Sequence, residues 1–397
     1  MKKKKSGIFT SIEQFDYTML FLVAFLSGFG LLMIYSASSY TSMVDHNDPE
    51  YYFKKQLFNL ALGAVVLFFS MKFNYKKYKG LLAVIIYGVS LVCIALVKTP
   101  LGITSHGASR WLNLKIFSFQ PAELAKLAVI LILATMICNI GNKMARVSSV
   151  FKLWGVAAVP AGMIYILTRN MSSALIVAGI AFVMAFVAHK KKGIFIIIFG
   201  VIAVGVAALI IFLNAVDISE LESFRLERIV AWLEPEKYAD DTGYQTLQAL
   251  YAIGSGGLFG KGLGSSLQKL DFIPEAQNDM IFSIICEELG LFGALVLIAV
   301  FALLLWRIAN VALNANDLFG SMLAVGVFGH IAIQVVLNVA VVTNLIPNTG
   351  VSLPFISYGG TSVLFLMAEM GIVLNISASS ARKTAVRSSK EAAESIR

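Results

Sequence analysis

Charged residues are scarce in this sequence, and their scarcity excludes a soluble globular protein. Only 14% of the 397 residues are Asp, Glu, Lys or Arg, whereas soluble domains carry about 25%. Hydrophobic residues make up 58% of the chain, and its mean hydropathy is +0.80. A chain of this composition belongs in a lipid bilayer.

Cysteines and nucleic-acid-binding motifs are also lacking. Cys93, Cys138 and Cys286 lie inside apolar stretches without the spacing of metal ligands, so neither a disulfide framework nor a zinc site is predicted. The net charge of +9 comes from cations that cluster between apolar runs, and no nucleic-acid motif accompanies them. We therefore attribute the positive charge to membrane orientation and expect no nucleic-acid partner.

Ten apolar stretches are long enough to cross a membrane. A hydrocarbon core of about 30 Å needs roughly 17 to 25 apolar residues in a helix. The sequence therefore predicts an all-α polytopic membrane protein with about ten transmembrane helices. The predicted spans are 17–37, 57–73, 78–97, 121–139, 153–169, 171–188, 193–214, 279–306, 320–344 and 358–378.

The basic residues orient these spans, because short cytoplasmic loops are enriched in Lys and Arg. Segments on the N-terminal side hold 20 of them, and the short loops on the other side hold six. Both termini are therefore predicted inside. The cytoplasmic N-terminus is 1–16, the membrane domain is 17–378, and the basic tail 379–397 is expected to be a mobile cytoplasmic end. The long loop 215–278, between helices seven and eight, faces outward, as does the polar segment 98–120.

Several ionisable residues lie within the predicted spans, where charge is costly and is typically functional. They are Glu123, Lys126, Glu287, Glu288 and Glu369. Glu123 and Lys126 are three residues apart on one helix face, so they can simply pair with each other. Alternatively they support a site, because their helix begins directly after an outward polar segment.

That outward segment combines a cation with an aromatic side chain. Arg110 and Trp111 precede Gln120 and Pro121, and a proline at this place is typical of a helix start. The Arg110 guanidinium can bind phosphate oxygens. Alternatively, Arg110 and Trp111 only anchor the chain at headgroup level, and the residues alone favour this second interpretation.

The long loop is rich in glycine before it enters the membrane again. Six glycines lie within 254–264, and they either form a flexible turn or let the backbone approach a ligand or another chain closely. The run lacks the Gly-Lys-Ser/Thr ending of a nucleotide-binding loop, so ATP is not implied. Lys269 follows the run and supplies a further outward cation.

Asp279 stands where the long loop meets the eighth span. Partial removal from water raises the pKa of a carboxylic acid toward neutrality, which suits a general base. Alternatively Asp279 is the N-cap of the helix, where Asp is favoured. The uncharged segment 347–362 is broken by Pro and Gly, and such backbone at membrane depth is tolerated where protein buries it or it lines a wet cavity. The sequence thus predicts a cavity near that face.

Several motifs, in this order, resemble those of the SEDS family of bacterial membrane proteins (shape, elongation, division and sporulation). The sequences of these motifs are more similar to those of division members than to those of elongation or sporulation members. The motifs are Tyr-Ser-Ala-Ser-Ser at 35–39, Arg-Trp at 110–111, Phe-Ser-Phe-Gln-Pro-Ala-Glu-Leu-Ala-Lys at 117–126, Pro274 and Glu275 with Asp279, Glu-Glu-Leu-Gly at 287–290, and Leu-Pro-Phe-Ile-Ser-Tyr-Gly-Gly at 353–360.

Two departures from the family pattern stand out. Gln277 and Asn278 replace a His-Thr pair common before the aspartate, and Arg169-Asn170-Met171-Ser172 replaces a Gln-Pro-Asp-type turn. We therefore assign that turn no catalytic role.

The resemblance implies a peptidoglycan glycosyltransferase that polymerises lipid II and works with a class B penicillin-binding protein and other division or elongation membrane proteins. It implies that Asp279 removes the proton from the acceptor hydroxyl. Arg110, Lys269 or a divalent cation, Mg or Mn, would offset the pyrophosphate charge, although the sequence requires no cofactor. Substrate-binding or supporting roles fall to Trp111, Gln120, Glu123, Lys126, Glu275, Ser357, Tyr358, Gly359 and Gly360.

Two other functions compete with this one. A lipid II flippase would bind near the midplane between interrupted helices, and Glu287 and Glu288 fit that partly. A non-enzymatic scaffold for a cell-wall synthase would need no buried carboxylates. The outer-face clustering of the motifs favours the enzyme.

Overall fold

The computed structural model describes residues 15–105, 108–113, 118–215, 232–238 and 243–395, and this part of the chain is almost entirely helical. Short 3-10 helices cover Tyr75–Tyr78 and Gly141–Ala145. The α-helices in it are α1 Tyr17–His46, α2 Tyr51–Lys72, α3 Leu81–Leu96, α4 Pro121–Ile140, α5 Val147–Thr168, α6 Met171–Ala188, α7 Gly193–Ala215, α8 Tyr244–Gly256, α9 Ile281–Leu313, α10 Leu318–Val342 and α11 Gly360–Ser395.

Each of the ten predicted spans lies on one of these helices. Among the described residues, eight helices are long and apolar enough to cross a membrane, and α3 and the start of α7 are shorter apolar helices. The predicted polytopic membrane fold is confirmed. α11 continues to Ser395, so the segment predicted as a mobile cytoplasmic tail is helical as far as that residue. Its Ala, Lys, Arg and Glu residues favour helix without needing an apolar stripe.

A small antiparallel sheet within the polar segment 98–120 interrupts the otherwise helical pattern. The strands are β1 Gly102–Ser105, β2 Ala108–Asn113 and β3 Ser118–Phe119, in the order β1-β2-β3. Ile103 pairs with Trp111, and Leu112 pairs with Phe119. The Phe119 ring packs on Phe365 of α11 at 5.9 Å. So short a sheet is not stable alone. The contact with Phe365 packs it against the surface of α11.

Helix α4 lies at the centre of the bundle. Fifteen of its 20 residues are buried, against four of the 22 residues of α2. Its Ala, Leu, Ile and Val side chains occupy every face, and a helix that is apolar all round is expected to be interior. α4 therefore brings Glu123 and Lys126 into the protein core rather than into lipid.

The segments that connect the helices contact one another at two opposite ends of the bundle. At one end the Ser172 hydroxyl donates to the Thr349 carbonyl, and Gly359 N donates to Gln56 Oε1 at 3.3 Å. At the opposite end Arg307 binds Asp16, and the Tyr75 hydroxyl donates to Asp317 at 2.7 Å. Alternate connections thus meet at alternate ends, as the predicted spans require. We call the first end, which carries Asp279, the Asp279 end.

Candidate functional site at the Asp279 end

The connection between α10 and α11, residues 343–359, is the hub of the Asp279 end. Phe355 and Gly350 have positive φ angles of 64° and 67°, so this segment is irregular. Asn338 Nδ2 donates to the carbonyls of Asp279 and Val351, each at 2.7 Å. Gln334 Nε2 donates to the Ser352 carbonyl at 3.0 Å. These two amides satisfy backbone groups that would otherwise be buried without a partner.

Protein covers much of this connection. Leu353, Phe355 and Ile356 are at most 2% exposed. Irregular backbone at membrane depth is tolerated where protein buries it. The broken backbone therefore does not by itself require the wet cavity that the sequence predicts.

Asp279 lies two residues before α9 begins and is half-buried. One of its carboxylate oxygens, Oδ2, is 3.5 Å from the place that a Cβ would take at Gly350. Met280 occupies the N-cap position of α9, so the interpretation of Asp279 as the N-cap is wrong. Asn338 holds the Asp279 carbonyl and thereby fixes this carboxylate beside the hub.

The residues around Asp279 hold the turn in place. Tyr358 N donates to the Gln277 carbonyl at 2.9 Å, and the Ser357 hydroxyl accepts from Leu353 N at 2.7 Å. Glu275 is exposed, has a φ of 52°, and accepts from Asn278 Nδ2 at 2.9 Å. Ser357 and Glu275 thus have structural partners within their own turns.

Tyr358 and Gly359 end the connection, and Gly360 begins the last helix. The Tyr358 ring packs edge-on against Tyr52 at 5.1 Å. A Cβ at Gly360 would lie 3.5 Å from Asn59 Nδ2. Together these residues pack α11 onto α2.

Arg110 reaches the hub through the turn between α5 and α6. Its Nη2 donates to the Arg169 carbonyl at 3.5 Å, and Arg169 has a left-handed φ of 50°. Asn170 Oδ1 caps α6 by accepting from Ser173 N at 2.9 Å. Because the Ser172 hydroxyl donates to the Thr349 carbonyl, one short chain of contacts joins Arg110 to the segment beside Asp279. Trp111 follows Arg110 in β2.

The start of α4 joins the same end of the bundle. Gln120 N donates to Thr361 Oγ1 at 3.2 Å. One turn further on, Lys126 Nζ lies 2.8 Å from Glu123 Oε1, with side chains 1% and 7% exposed. The pairing interpretation of these two residues is confirmed. Glu123 Oε2 is buried without a hydrogen-bond partner in the described part of the chain.

Lys269 is not an open binding group, and the prediction that it faces a pyrophosphate requires correction. Its Nζ lies 3.0 Å from both Glu288 Oε1 and Ser36 Oγ, and its side chain is 8% exposed. The Ser36 hydroxyl also donates to Glu288 Oε1 at 2.6 Å. Lys269 would have to abandon a buried carboxylate to reach a headgroup, so we assign it an internal ion pair.

The glycine run approaches another part of the chain closely. Helix α9 breaks at Gly290, whose φ and ψ are 68° and −171°. Lys261 N and Gly262 N donate to the Glu287 and Glu288 carbonyls, each at 2.9 Å. A Cβ at Gly260 would lie 2.2 Å from the Glu288 carbonyl oxygen. The run therefore serves backbone-to-backbone packing on α9 rather than a flexible turn.

Sequence reasoning missed the uncharged amides that organise this end. Gln56, Gln334 and Asn338 are 0 to 2% exposed, and each donates to or accepts from backbone of the hub. Their signal in the sequence is an uncharged amide side chain inside an apolar helix, which is weaker than the signal of an ionisable group in a span. Among the described residues, no three His, Cys, Asp or Glu side chains form a group that could hold a metal ion.

Known proteins share both the sequence and the fold. Residues 17–382 match the family profile described as "Cell cycle protein", which groups FtsW, RodA and SpoVE. The chain is 37% identical to the probable peptidoglycan glycosyltransferase FtsW of Trichlorobacter lovleyi, over 92% of this chain and 94% of that protein. It is 36% identical to stage V sporulation protein E of Bacillus subtilis, over 91% of this chain and 96% of that protein.

Solved structures agree with these relatives. Thermus thermophilus rod shape determining protein RodA matches with a TM-score of 0.65 at 28% identity, over 92% of this chain and 97% of that chain. A chain from a peptidoglycan synthase complex that coordinates polymerization and crosslinking matches with a TM-score of 0.74 at 28% identity, over 93% of this chain and 99% of that chain. The buried motifs, the helical membrane fold and these similarities together show that the chain belongs to the FtsW/RodA/SpoVE family, the SEDS family of membrane proteins.

Proposed function

We propose that this protein is a peptidoglycan glycosyltransferase that polymerises lipid II at the outer face of the bacterial cytoplasmic membrane. The observation that carries the proposal is the half-buried Asp279, fixed beside the 343–359 hub by Asn338. The name of the FtsW relative supports the activity. The distribution of basic residues supports an outward-facing Asp279 end.

The proposed reaction inverts the configuration of the anomeric carbon. The acceptor 4-hydroxyl oxygen forms the new bond to that carbon as the bond to the lipid pyrophosphate breaks, and Asp279 takes the hydroxyl proton. Pyrophosphate leaves without a general acid once its charge is offset, unlike the leaving group of glycoside hydrolysis. Arg110 is the proposed source of that positive charge.

The remaining site residues support this reaction by holding its geometry. Gln120 ties the start of α4 to α11, and the Glu123–Lys126 pair lies one turn below it. Tyr358 N holds the turn that precedes Asp279. Gly359 N donates to Gln56 Oε1 and so ties the end of the connection to α2. Trp111 holds the Arg110 strand at the membrane surface in this proposal.

The cellular role and partners follow from the relatives. FtsW names favour septal cell-wall synthesis, whereas the sporulation relative is almost equally similar. The chain from the peptidoglycan synthase complex supports a class B penicillin-binding protein as the partner. We propose a division role in which this chain polymerises and its partner crosslinks.

A flippase remains the competing function, because α9 is interrupted at Gly290 in the manner of transporter helices. However, Glu287 and Glu288 at that break are bound by Lys261 and Lys269. Carboxylates that are neutralised internally are poorly placed to carry a substrate.

One assay separates these functions. The purified full chain, with and without a class B penicillin-binding protein, is given lipid II and scored for glycan polymer, while a parallel vesicle assay scores lipid II flipping. Polymer formation without flipping supports the proposal. Flipping without polymer formation supports the transporter. The absence of both activities supports a scaffold.

A further inference from the structure

A polar pocket lies at the end of the bundle opposite Asp279. It has a volume of about 350 Å³ and is formed by the end of α4, the 3-10 helix Gly141–Ala145 and the start of α5. The residues that line it are Met136, Asn139, Ile140, Lys143, Arg146, Ser148, Ser149 and Lys152. We call it the α4–α5 pocket.

Three cations and no carboxylate line this pocket within the described part of the chain. No Asp or Glu occurs anywhere in 124–216. In the described part of the chain, Lys143, Arg146 and Lys152 make none of the ion pairs that bind other cations. Three cations that converge on one cavity without a carboxylate create a field that attracts an anion.

Backbone groups add to this field. Helix α5 begins at Val147 with Arg146 at its N-cap position, and no side chain caps its first turn. The first N–H groups of a helix lack internal partners and favour a negatively charged ligand. Ser148 lines the pocket beside them, and its hydroxyl is a suitable donor to phosphate oxygens.

The walls of the pocket are held in place. The Ser149 hydroxyl donates to the Lys143 carbonyl at 2.8 Å, and His189 Nδ1 lies 2.6 Å from the Met144 carbonyl oxygen. These bonds fix the 3-10 helix on α5 and on the turn after α6. The pocket is therefore a built feature of the fold rather than a gap between unrelated side chains.

Apolar residues beside the cations indicate a lipid. Met136 and Ile140 complete the lining, and Val147 and Phe151 near the pocket are 43% and 57% exposed. In a membrane-spanning helix such exposed apolar side chains face acyl chains. Basic pockets between transmembrane helices on the cytoplasmic side typically bind anionic headgroups.

We propose that the α4–α5 pocket binds the phosphate group of an anionic phospholipid of the cytoplasmic leaflet. Lys143, Arg146 and Lys152 neutralise the phosphate, the start of α5 donates to it, and the acyl chains lie along Phe151. This site is distinct from Asp279 and does not depend on the polymerisation chemistry.

The test compares the full chain with two variants of equal charge. The pocket variant is K143Q/R146Q/K152Q. The control variant is K77Q/K190Q/K191Q, whose lysines are exposed on the same end but do not line the pocket. Native mass spectrometry counts retained phosphatidylglycerol or phosphatidylcholine after purification from mixed nanodiscs. A thermal unfolding scan checks that each variant is folded, and R146Q alone replaces the triple variant if it is not.

The wild type and the control variant are expected to retain phosphatidylglycerol over phosphatidylcholine, and the pocket variant to lose roughly tenfold or more of that preference. Equal retention by the pocket and control variants would overturn the proposal. Full displacement of the lipid by millimolar inorganic phosphate would also overturn it, because the site would then bind free phosphate rather than a lipid headgroup.

Discussion

The buried pair of Lys269 and Glu288 offers the most direct energetic test of how the long loop is held. Glu288 is 0% exposed, and its Oε1 is bound by Lys269 and Ser36. Its Oε2 has no partner within the described residues. Replacing Lys269 by Met leaves a buried carboxylate with a single hydroxyl donor, so we expect destabilisation of about 3–5 kcal/mol.

The neighbouring pair supplies a matched control. Lys261 binds Glu287 at 2.7 Å, but its side chain is 30% exposed. Glu287 also accepts from Ser255, Ser266 and two backbone N–H groups of residues 267–268. The carboxylate remains solvated by protein when Lys261 is lost, so Lys261→Met should cost only about 1 kcal/mol.

Equilibrium unfolding in mixed micelles measures these differences. The double variant K269M/E288Q removes both charges and should recover most of the stability lost in K269M, because the uncompensated charge is the main penalty. The reasoning is refuted if K269M is no less stable than K261M, or if E288Q worsens K269M additively.

Three further predictions test other parts of the structure. Gly260→Ala should destabilise the protein by about 2 kcal/mol more than Gly264→Ala. Both glycines have a φ of 78°, but only a Cβ at Gly260 would collide with backbone atoms. Equal losses of stability in unfolding experiments would contradict the packing role. Exchanging the charges, E123K/K126E, should restore more activity than either single change if the pair acts as a unit; activity losses that simply add would indicate separate roles. Burial raises the pKa of Asp317, but hydrogen bonds from Gly320 N and Tyr75 and the charge of Lys76 outweigh it and leave the pKa below its usual value. Stability from Asp317 is therefore present above the unfolded pKa of about 3.9 and lost as the pH falls through the lower folded value, so the stability gap to Asp317→Asn should close at acid pH, and a gap constant from pH 7 to pH 2 would contradict it.

The spans could be predicted from the sequence because length and hydropathy decide them locally. The sequence predicts a span at 121–139, and helix α4 extends over Pro121–Ile140 in the structure. Strand β3 has two residues, and so short a strand leaves no readable alternation. Its existence depends on pairing with β2 and on the contact with Phe365, which no local pattern contains.

The site was predictable where neighbours in sequence are neighbours in space. Glu123 and Lys126 share a helix face, and their pairing follows from a spacing of three residues. Lys269 was assigned to a ligand because its carboxylate partner Glu288 lies on another element 19 residues later, and its hydroxyl partner Ser36 lies 233 residues earlier. Asn338 was overlooked for the same reason, since the carbonyl it holds at Asp279 lies 59 residues earlier. Long-range partners of buried polar groups set this site, and a single sequence does not encode them locally.

The polymerisation rate of the Asp279→Asn variant tests the central claim most directly. The assay uses the purified full chain with a class B penicillin-binding protein and lipid II, with Asp271→Asn as a control that alters an exposed carboxylate in the same loop. The account predicts a loss of about 10²–10⁴-fold for Asp279→Asn, as expected on removal of a general base, with normal folding and partner binding, and little change for Asp271→Asn. Near-normal glycan chains from Asp279→Asn would contradict the account.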